Sequence, residues 1–341
     1  MKIPVSCLLL CLLFLASCHS GGDSPGGNLH GSDSTRQQLE VLNRQIEADV
    51  SNPVLYQKRA RFFFLDRKFD NALKDVQKAI SLDDSKSTPY IILSDIYLLM
   101  GKSEDSRDAL NKAISKNPTD TDAFQKLAKL YLIMKDYKNC YATVKQLLAI
   151  DNGNASAYFT RAIALLEQGD TIRAVDDLKQ AVDKNQEYYE AYIQLGELYA
   201  IKKDRMAELY LKNALTLRPK SREALYMLGL YYQETGKYDE AISTYQVLSK
   251  ADTAFREASF NTGYIYLVYL KDFKKAAQFF SESLKKDPQY FEAYFNRGYA
   301  CELAGDYQKA YDDYQKSLKI RVNYDKAIEG LNRLDKITRG E

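Results

Sequence analysis

The stretch ALYMLGLYYQETGKYDEAISTYQVL, Ala224 to Leu248, decides how the chain folds. Leu225, Leu228, Gly229 and Tyr232 recur at three- and four-residue steps and so share one face of a helix. Gly236 stops that helix, and Tyr238, Ala241, Ile242 and Tyr245 then start the same periodicity again. The pattern predicts two antiparallel helices joined by a short turn. Moved along the chain in steps of about 34 residues, it returns repeatedly, the mark of a repeat architecture. The column of Gly229 holds Ala60, Ser94, Ala128, Ala162, Gly196, Gly263 and Gly298, all small. The column of Ala241 holds Ala72, Ser106, Cys140, Ala174, Ala207, Ala276 and Ala310, again all small. Two helices need small side chains where their axes come closest, because larger ones would force them apart and leave voids.

These residues resemble the tetratricopeptide repeat, with its small eighth residue, aromatic eleventh, glycine at fifteen, aromatic at seventeen, alanine at twenty and proline at thirty-two. Tyr97, Tyr131, Tyr199, Tyr232 and Tyr266 fill position eleven, Gly101, Gly169, Gly236 and Gly305 position fifteen, and Tyr137, Tyr238, Phe273 and Tyr307 position seventeen. Pro118, Pro219 and Pro288 stand at thirty-two, where Asp84, Asn152, Gln186, Thr253 and Val322 depart from the pattern. The resemblance implies an all-α fold: an α-solenoid of about eight helical hairpins over residues 53–322, wound as a right-handed superhelix. The fifth repeat lacks one residue near Lys202 to Arg205, and the seventh has one extra near Leu270 to Asp272. Changes of that size in an exposed turn leave a stack intact. A helix over residues 34–52, with Leu39, Leu42 and Ile46 on one face, and another over residues 323–341, with Ala327, Leu331 and Leu334 inward, are expected to cover the open ends.

Residues 1–17 carry one positive charge, Lys2, and then an apolar run from Cys7 to Leu15 that is too short for a permanent membrane span. The sequence Leu15-Ala16-Ser17-Cys18 resembles a bacterial lipobox, which implies cleavage before Cys18 and its acylation. An ordinary cleaved signal or an uncleaved anchor is the alternative. The resemblance further implies outer-membrane placement, since His19 stands where an inner-membrane retention signal would carry Asp, and a periplasmic face, since no acidic export tag follows. Residues 18–33 are rich in Gly, Ser and Asp, a composition that cannot bury enough apolar area to fold and that suits a flexible tether.

Lys and Arg number 48 against 46 Asp and Glu, so no broad basic field is available for nucleic acid. The two histidines, His19 and His30, fall in the tether, so the repeats hold no imidazole for acid–base or metal chemistry. No glycine-rich phosphate loop is present. These features predict a protein without catalytic residues, cofactor or metal. Cys140 and Cys301 sit at packing positions of distant repeats and are expected to be buried thiols.

The resemblance places positions two, five, nine, twelve and thirteen of each first helix on the concave side. Position five runs from Gln57, Ile91 and Gln125 to Phe159, Ile193, Tyr226, Phe260 and Phe295, and position nine from Arg61, Asp95 and Lys129 to Tyr264 and Tyr299. The expectation is a groove in which Phe159, Tyr226, Phe260, Tyr264, Phe295 and Tyr299 dock a segment of a client protein, with Arg61, Asp95 and Lys129 setting its polarity. Rings at position five can instead pack on the neighbouring repeat. The lysines and asparagines of a carboxylate clamp are missing, because Phe260, Tyr264, Phe295 and Tyr299 stand in their places. The functional expectation is a lipid-anchored interaction scaffold in the bacterial envelope, in the setting of an outer-membrane or secretion complex. The alternative is an adaptor for a peptidoglycan-active enzyme.

Overall fold

Proline, asparagine, aspartate and glycine punctuate the chain into helices of 12 to 16 residues, and the computed structural model, which describes residues 33–339, contains eighteen of them and no strand among those residues. The expected signal sequence, the lipidation site Cys18 and most of the tether lie outside the described residues. Two compact units divide at Ser106. The first holds α1 (Asp33–Ala48), α2 (Pro53–Leu65), α3 (Phe69–Leu82), α4 (Thr88–Leu99) and the start of α5 (Ser103–Lys116). The second holds the rest of α5, then α6 (Thr121–Ile133), α7 (Tyr137–Ile150), α8 (Ala155–Glu167), α9 (Thr171–Lys184), α10 (Tyr189–Ile201) and α11 (Met206–Leu217). It continues through α12 (Arg222–Glu234), α13 (Tyr238–Ala251), α14 (Arg256–Val268), α15 (Phe273–Lys286), α16 (Phe291–Leu303), α17 (Tyr307–Ile320) and α18 (Asp325–Arg339).

Caps set the helix starts. The side chains of Asn52, Asp120, Asn154 and Ser221 accept from backbone N–H groups at the starts of α2, α6, α8 and α12, and Asp136, Asp170, Asp272 and Asp306 do the same at α7, α9, α15 and α17. The turn inside each hairpin needs one residue in the left-handed region. Gly101, Gly169, Gly236 and Gly305 supply it without strain, but Arg67, Lys135, Lys203 and Lys271 also take it, at φ between 54° and 57°. A backbone bond then closes the turn, as from Asp136 N to Tyr131 O at 2.8 Å and from Lys237 N to Tyr232 O at 2.8 Å. In the seventh repeat the same bond, from Asp272 N to Tyr266 O at 3.0 Å, spans one residue more and absorbs the insertion. In the fifth, the missing residue delays the helix to Met206, whose N–H bonds Asp204 Oδ1 at 2.9 Å.

Each small residue at position eight faces a large one on the returning helix. Ala60 packs in one cluster with Val76, Ala128 with Val144, and Ala162 with Leu178. Where the partner is a ring, position eight is glycine. A Cβ on Gly229 would lie 2.4 Å from Cε1 of the fully buried Tyr245, one on Gly263 3.0 Å from Phe280, and one on Gly298 3.1 Å from Tyr314. Gly196 likewise faces Leu211, at 2.6 Å. Both predicted caps form. In the first unit α1 buries Ile46 beside Tyr56 and Ala79, and in the second α18 buries Ala327 and Leu334 against α16 and α17.

Three hairpins share a bidentate ion pair across their helices: Arg59 with Asp75, Arg161 with Asp177 and Arg297 with Asp313, at 2.6 to 2.8 Å. The carboxylates are buried, 6%, 7% and 6% exposed, and each guanidinium also lies over a tyrosine, Tyr56, Tyr158 or Tyr294.

Two outcomes test this account. Lys135→Gly removes a left-handed side chain and should raise stability by about 1 kcal/mol in urea denaturation, whereas a loss would show that the lysine is not strained. Glu208 accepts from Lys212 at 2.7 Å, Lys237 at 2.8 Å and Tyr232 at 3.0 Å, and those donors depress its carboxyl to about 2 from an ordinary 4.5. The stabilisation it gives is therefore complete above pH 4.5 and fades as pH falls toward 2. Glu208→Gln should accordingly destabilise at pH 7, with the gap to wild type closing as denaturation is repeated at lower pH.

Candidate functional site

The first helices of the second unit, α6, α8, α10, α12, α14 and α16, carry the position-five and position-nine side chains singled out in the sequence. The structure corrects their expected openness. Phe159 is only 8% exposed, since its ring lies 5.0 Å from that of Tyr188, and it belongs to the core. Tyr226 meets Phe255 at 5.2 Å, Phe260 meets Tyr290 at 4.9 Å, and Phe295 meets Tyr324 at 5.5 Å. The partner in every case is the residue just ahead of the next first helix, so these contacts are a recurring joint between successive repeats. Such ring pairs contribute about 0.5–1.5 kcal/mol beyond the area they bury. The signal lay in the sequence as aromatics at Tyr188, Phe255, Tyr290 and Tyr324, but it falls between helices, where facial periodicity does not look.

Tyr226, Phe260, Tyr264, Phe295 and Tyr299 keep part of their surface in solvent. Phe295 and Tyr299 stack with planes 5° apart, and Phe295 also lies 5.7 Å from the buried ring of Tyr314. Tyr264 touches Tyr269, an exposed ring in the lengthened turn. The rings are thus half structural wall and half surface. The charged end divides between the units: Arg61 is exposed and Asp95 half-buried in the first, and Lys129 is half-buried in the second.

In the sequence the carboxylates of the same helices, Glu190 and Glu197 among them, read as ordinary solvated helix surface. Position two reads Glu190, Glu223, Glu257 and Glu292 in the last four repeats, and Glu197 stands at position nine. Arg218 pairs with Glu190 at 2.8 Å, and Arg256 with Glu257 at 3.1 Å. Burial, with Glu223 nearby, pushes the half-buried Glu197 carboxyl above its ordinary value, and partial desolvation does the same to Glu223, which stays exposed, against the hydroxyl of Tyr189 at 3.5 Å and the charge of Arg218. At the end of the row Glu302 accepts a bidentate pair from Arg333 at 2.8 and 3.0 Å, which ties α18 down beside Tyr299.

Among the described residues no group of three or more His, Cys, Asp and Glu side chains is placed to hold a metal ion, and no helix is long and apolar enough to cross a membrane. Cys140 and Cys301 are buried and unpaired with each other, and burial pushes the Cys140 thiol up to about 12. Chemically the surface offers half-open aromatic faces and carboxylates on rigid helices, a combination suited to holding a polypeptide.

Family models for the tetratricopeptide repeat match residues 88–120, 159–208, 205–254, 226–291 and 291–324, together more than half of the chain. The chain belongs to the tetratricopeptide repeat family. DnaJ homolog subfamily C member 3 from Homo sapiens is 22% identical over 351 residues, covering 92% of this chain and 68% of that protein. Protein O-mannosyl-transferase TMTC3 from Homo sapiens is 25% identical over 236 residues, 68% of this chain but 26% of the relative. The C-terminal part of a TPR repeat-containing protein from Cytophaga hutchinsonii superposes with a TM-score of 0.61 at 17% identity, over 70% of this chain and 98% of that one, a likeness of fold.

Within this tetratricopeptide repeat protein the two kinds of ring separate by substitution. Phe295→Ala empties a site among Tyr299, Tyr314 and Tyr324 and should cost about 3 kcal/mol in chemical denaturation, against 1 kcal/mol or less, roughly, for Tyr264→Ala. Equal costs would contradict the division of labour described here.

Proposed function

We propose that the protein is a non-catalytic scaffold that holds a segment of a client protein against the first helices of its second unit. The observation that carries this is the row of half-open rings, Tyr226, Phe260, Tyr264, Phe295 and Tyr299, fixed at regular intervals on rigid helices. Rigid aromatic side chains bury large areas at small entropic cost, which is why interface centres favour them. Tyr226, Tyr264 and Tyr299 are the client-facing members, Phe260 and Phe295 support them, and Phe159 belongs to the wall behind. Of the charged residues, Lys129 shares the second unit with these rings and acts on the client's polarity there, while Arg61 and Asp95 belong to the first unit.

The scaffold is anchored through acyl chains on Cys18, after removal of residues 1–17, in the bacterial outer membrane facing the periplasm. The segment between Cys18 and α1 tethers it, and it serves assembly of an outer-membrane or secretion complex. Support for the anchor is the sequence Leu15-Ala16-Ser17-Cys18 at the close of the apolar run. More than one acyl chain is needed for stable anchoring, since one alone holds weakly.

The experiment has two arms. A photocrosslinking amino acid at position 264 should capture a discrete client in intact cells, and one at position 172, 78% exposed on a second helix, should not. Equal capture at both would refute the groove. Labelled palmitate should enter the protein and be lost in Cys18→Ala, and undiminished labelling in that variant would refute the anchor.

A further inference from the structure

The chain as a whole is nearly neutral, at +2, but the first helices of its last five repeats are not. Along positions two, five, six, nine and twelve from α8 to α16 there stand Glu190, Glu197, Glu223, Glu257, Glu292 and Glu302, and no lysine or arginine. Three of these carboxylates have a cation of their own: Glu190 has Arg218, Glu257 has Arg256 and Glu302 has Arg333. Glu197, Glu223 and Glu292 have none within 4.0 Å. Glu197 is half-buried, makes no hydrogen bond, and lies within electrostatic reach of Glu223, which is itself exposed. Placing like charges together on a partly dehydrated wall is unfavourable unless something of opposite charge arrives.

The protein already contains the arrangement that would satisfy them. Arg218 lies 3.8 Å above the ring of Tyr189 while its guanidinium bonds Glu190. Arg256 lies 4.1 Å above Tyr290 while it bonds Glu257 and pairs with Asp287. Arg321 stands 4.8 Å above Phe291. In these niches a planar cation covers an aromatic face, and in two of them it reaches a carboxylate as well. Glu292 lies within electrostatic reach of Tyr290 and Tyr324, and Glu223 bonds Tyr189, so rings and carboxylates adjoin there too, but neither Glu292 nor Glu223 makes an ion pair within 4.0 Å, and Arg218, bonded to Glu190, acts on Glu223 only from farther off.

We propose that the client segment is basic: its lysine or arginine side chains meet Glu197, Glu223 and Glu292, while apolar residues between them lie on Tyr226 and Tyr264. This rests on the scaffold reading above and adds the chemistry of the partner. Charge complementarity of this kind selects among clients and speeds their approach more than it adds affinity.

A display library of random peptides, panned at physiological salt on the full chain in detergent and on its Glu197→Gln/Glu223→Gln variant, tests it. Glutamine keeps the shape of both side chains and removes their repulsion, so the variant should fold at least as well as the parent, which thermal melting checks. On the parent, recovered peptides should be enriched in Lys and Arg and depleted in Asp and Glu relative to the unselected library. On the variant that bias should disappear, and a peptide selected on the parent should bind it about tenfold more weakly. Enrichment without a basic bias, or with the same bias on the variant, overturns the inference and leaves the groove standing. No enrichment at all overturns the groove as well. Dimerisation of the peptide-free parent that the variant abolishes would show a second copy as the occupant and would equally overturn it.

Discussion

The closest approach of the two helices in each hairpin is the contact on which everything else rests. Position eight on the first helix and the large residue sixteen or so places later must share one volume, and the chain settles this differently in different repeats. Alanine faces valine or leucine in the first, third and fourth hairpins, glycine faces leucine in the fifth, and glycine faces tyrosine or phenylalanine in the last three. Interiors packed as densely as crystals leave little room for any other outcome. Because the hairpin is fixed at its axis, its outer faces are free to differ, which is how one fold carries alanine-rich seams, ion pairs and rings at once.

Aromatic residues then serve two ends in the second unit. Tyr245, Phe280 and Tyr314 are fully buried under glycines and hold hairpins together. The rings at position five hold one repeat to the next through Tyr188, Phe255, Tyr290 and Tyr324, and only what remains of their surface is available to a client. Bound to such a wall, a client would meet a surface already organised, with little side-chain entropy left to lose. The carboxylates beside the rings give that surface its sign.

The helical hairpins, their turns and both terminal caps were legible because they depend on local rules: small residues in two columns, glycine after the first helix, apolar spacing of three and four. The inserted and deleted residues of repeats seven and five were visible for the same reason. What escaped was non-helical or long-range. Tyr188 and its counterparts belong to the short links, so Phe159 looked like an open contact when it is 8% exposed. The Arg161–Asp177 pair joins residues sixteen apart across a hairpin, though tyrosine at position four, arginine at seven and aspartate at twenty-three recur together in the first, fourth and eighth repeats. Glu197 looked like ordinary solvated surface, because a sequence does not report that a carboxylate lacks a counter-ion.

A double-mutant cycle on Gly229→Ala and Tyr245→Leu measures the axial contact itself. The account predicts a strong coupling: alanine at 229 costs about 1–3 kcal/mol when it must displace the tyrosine ring and close to nothing opposite leucine, the pairing that Ala162 and Leu178 already make. Additive effects, with the alanine equally costly opposite either partner, would contradict it.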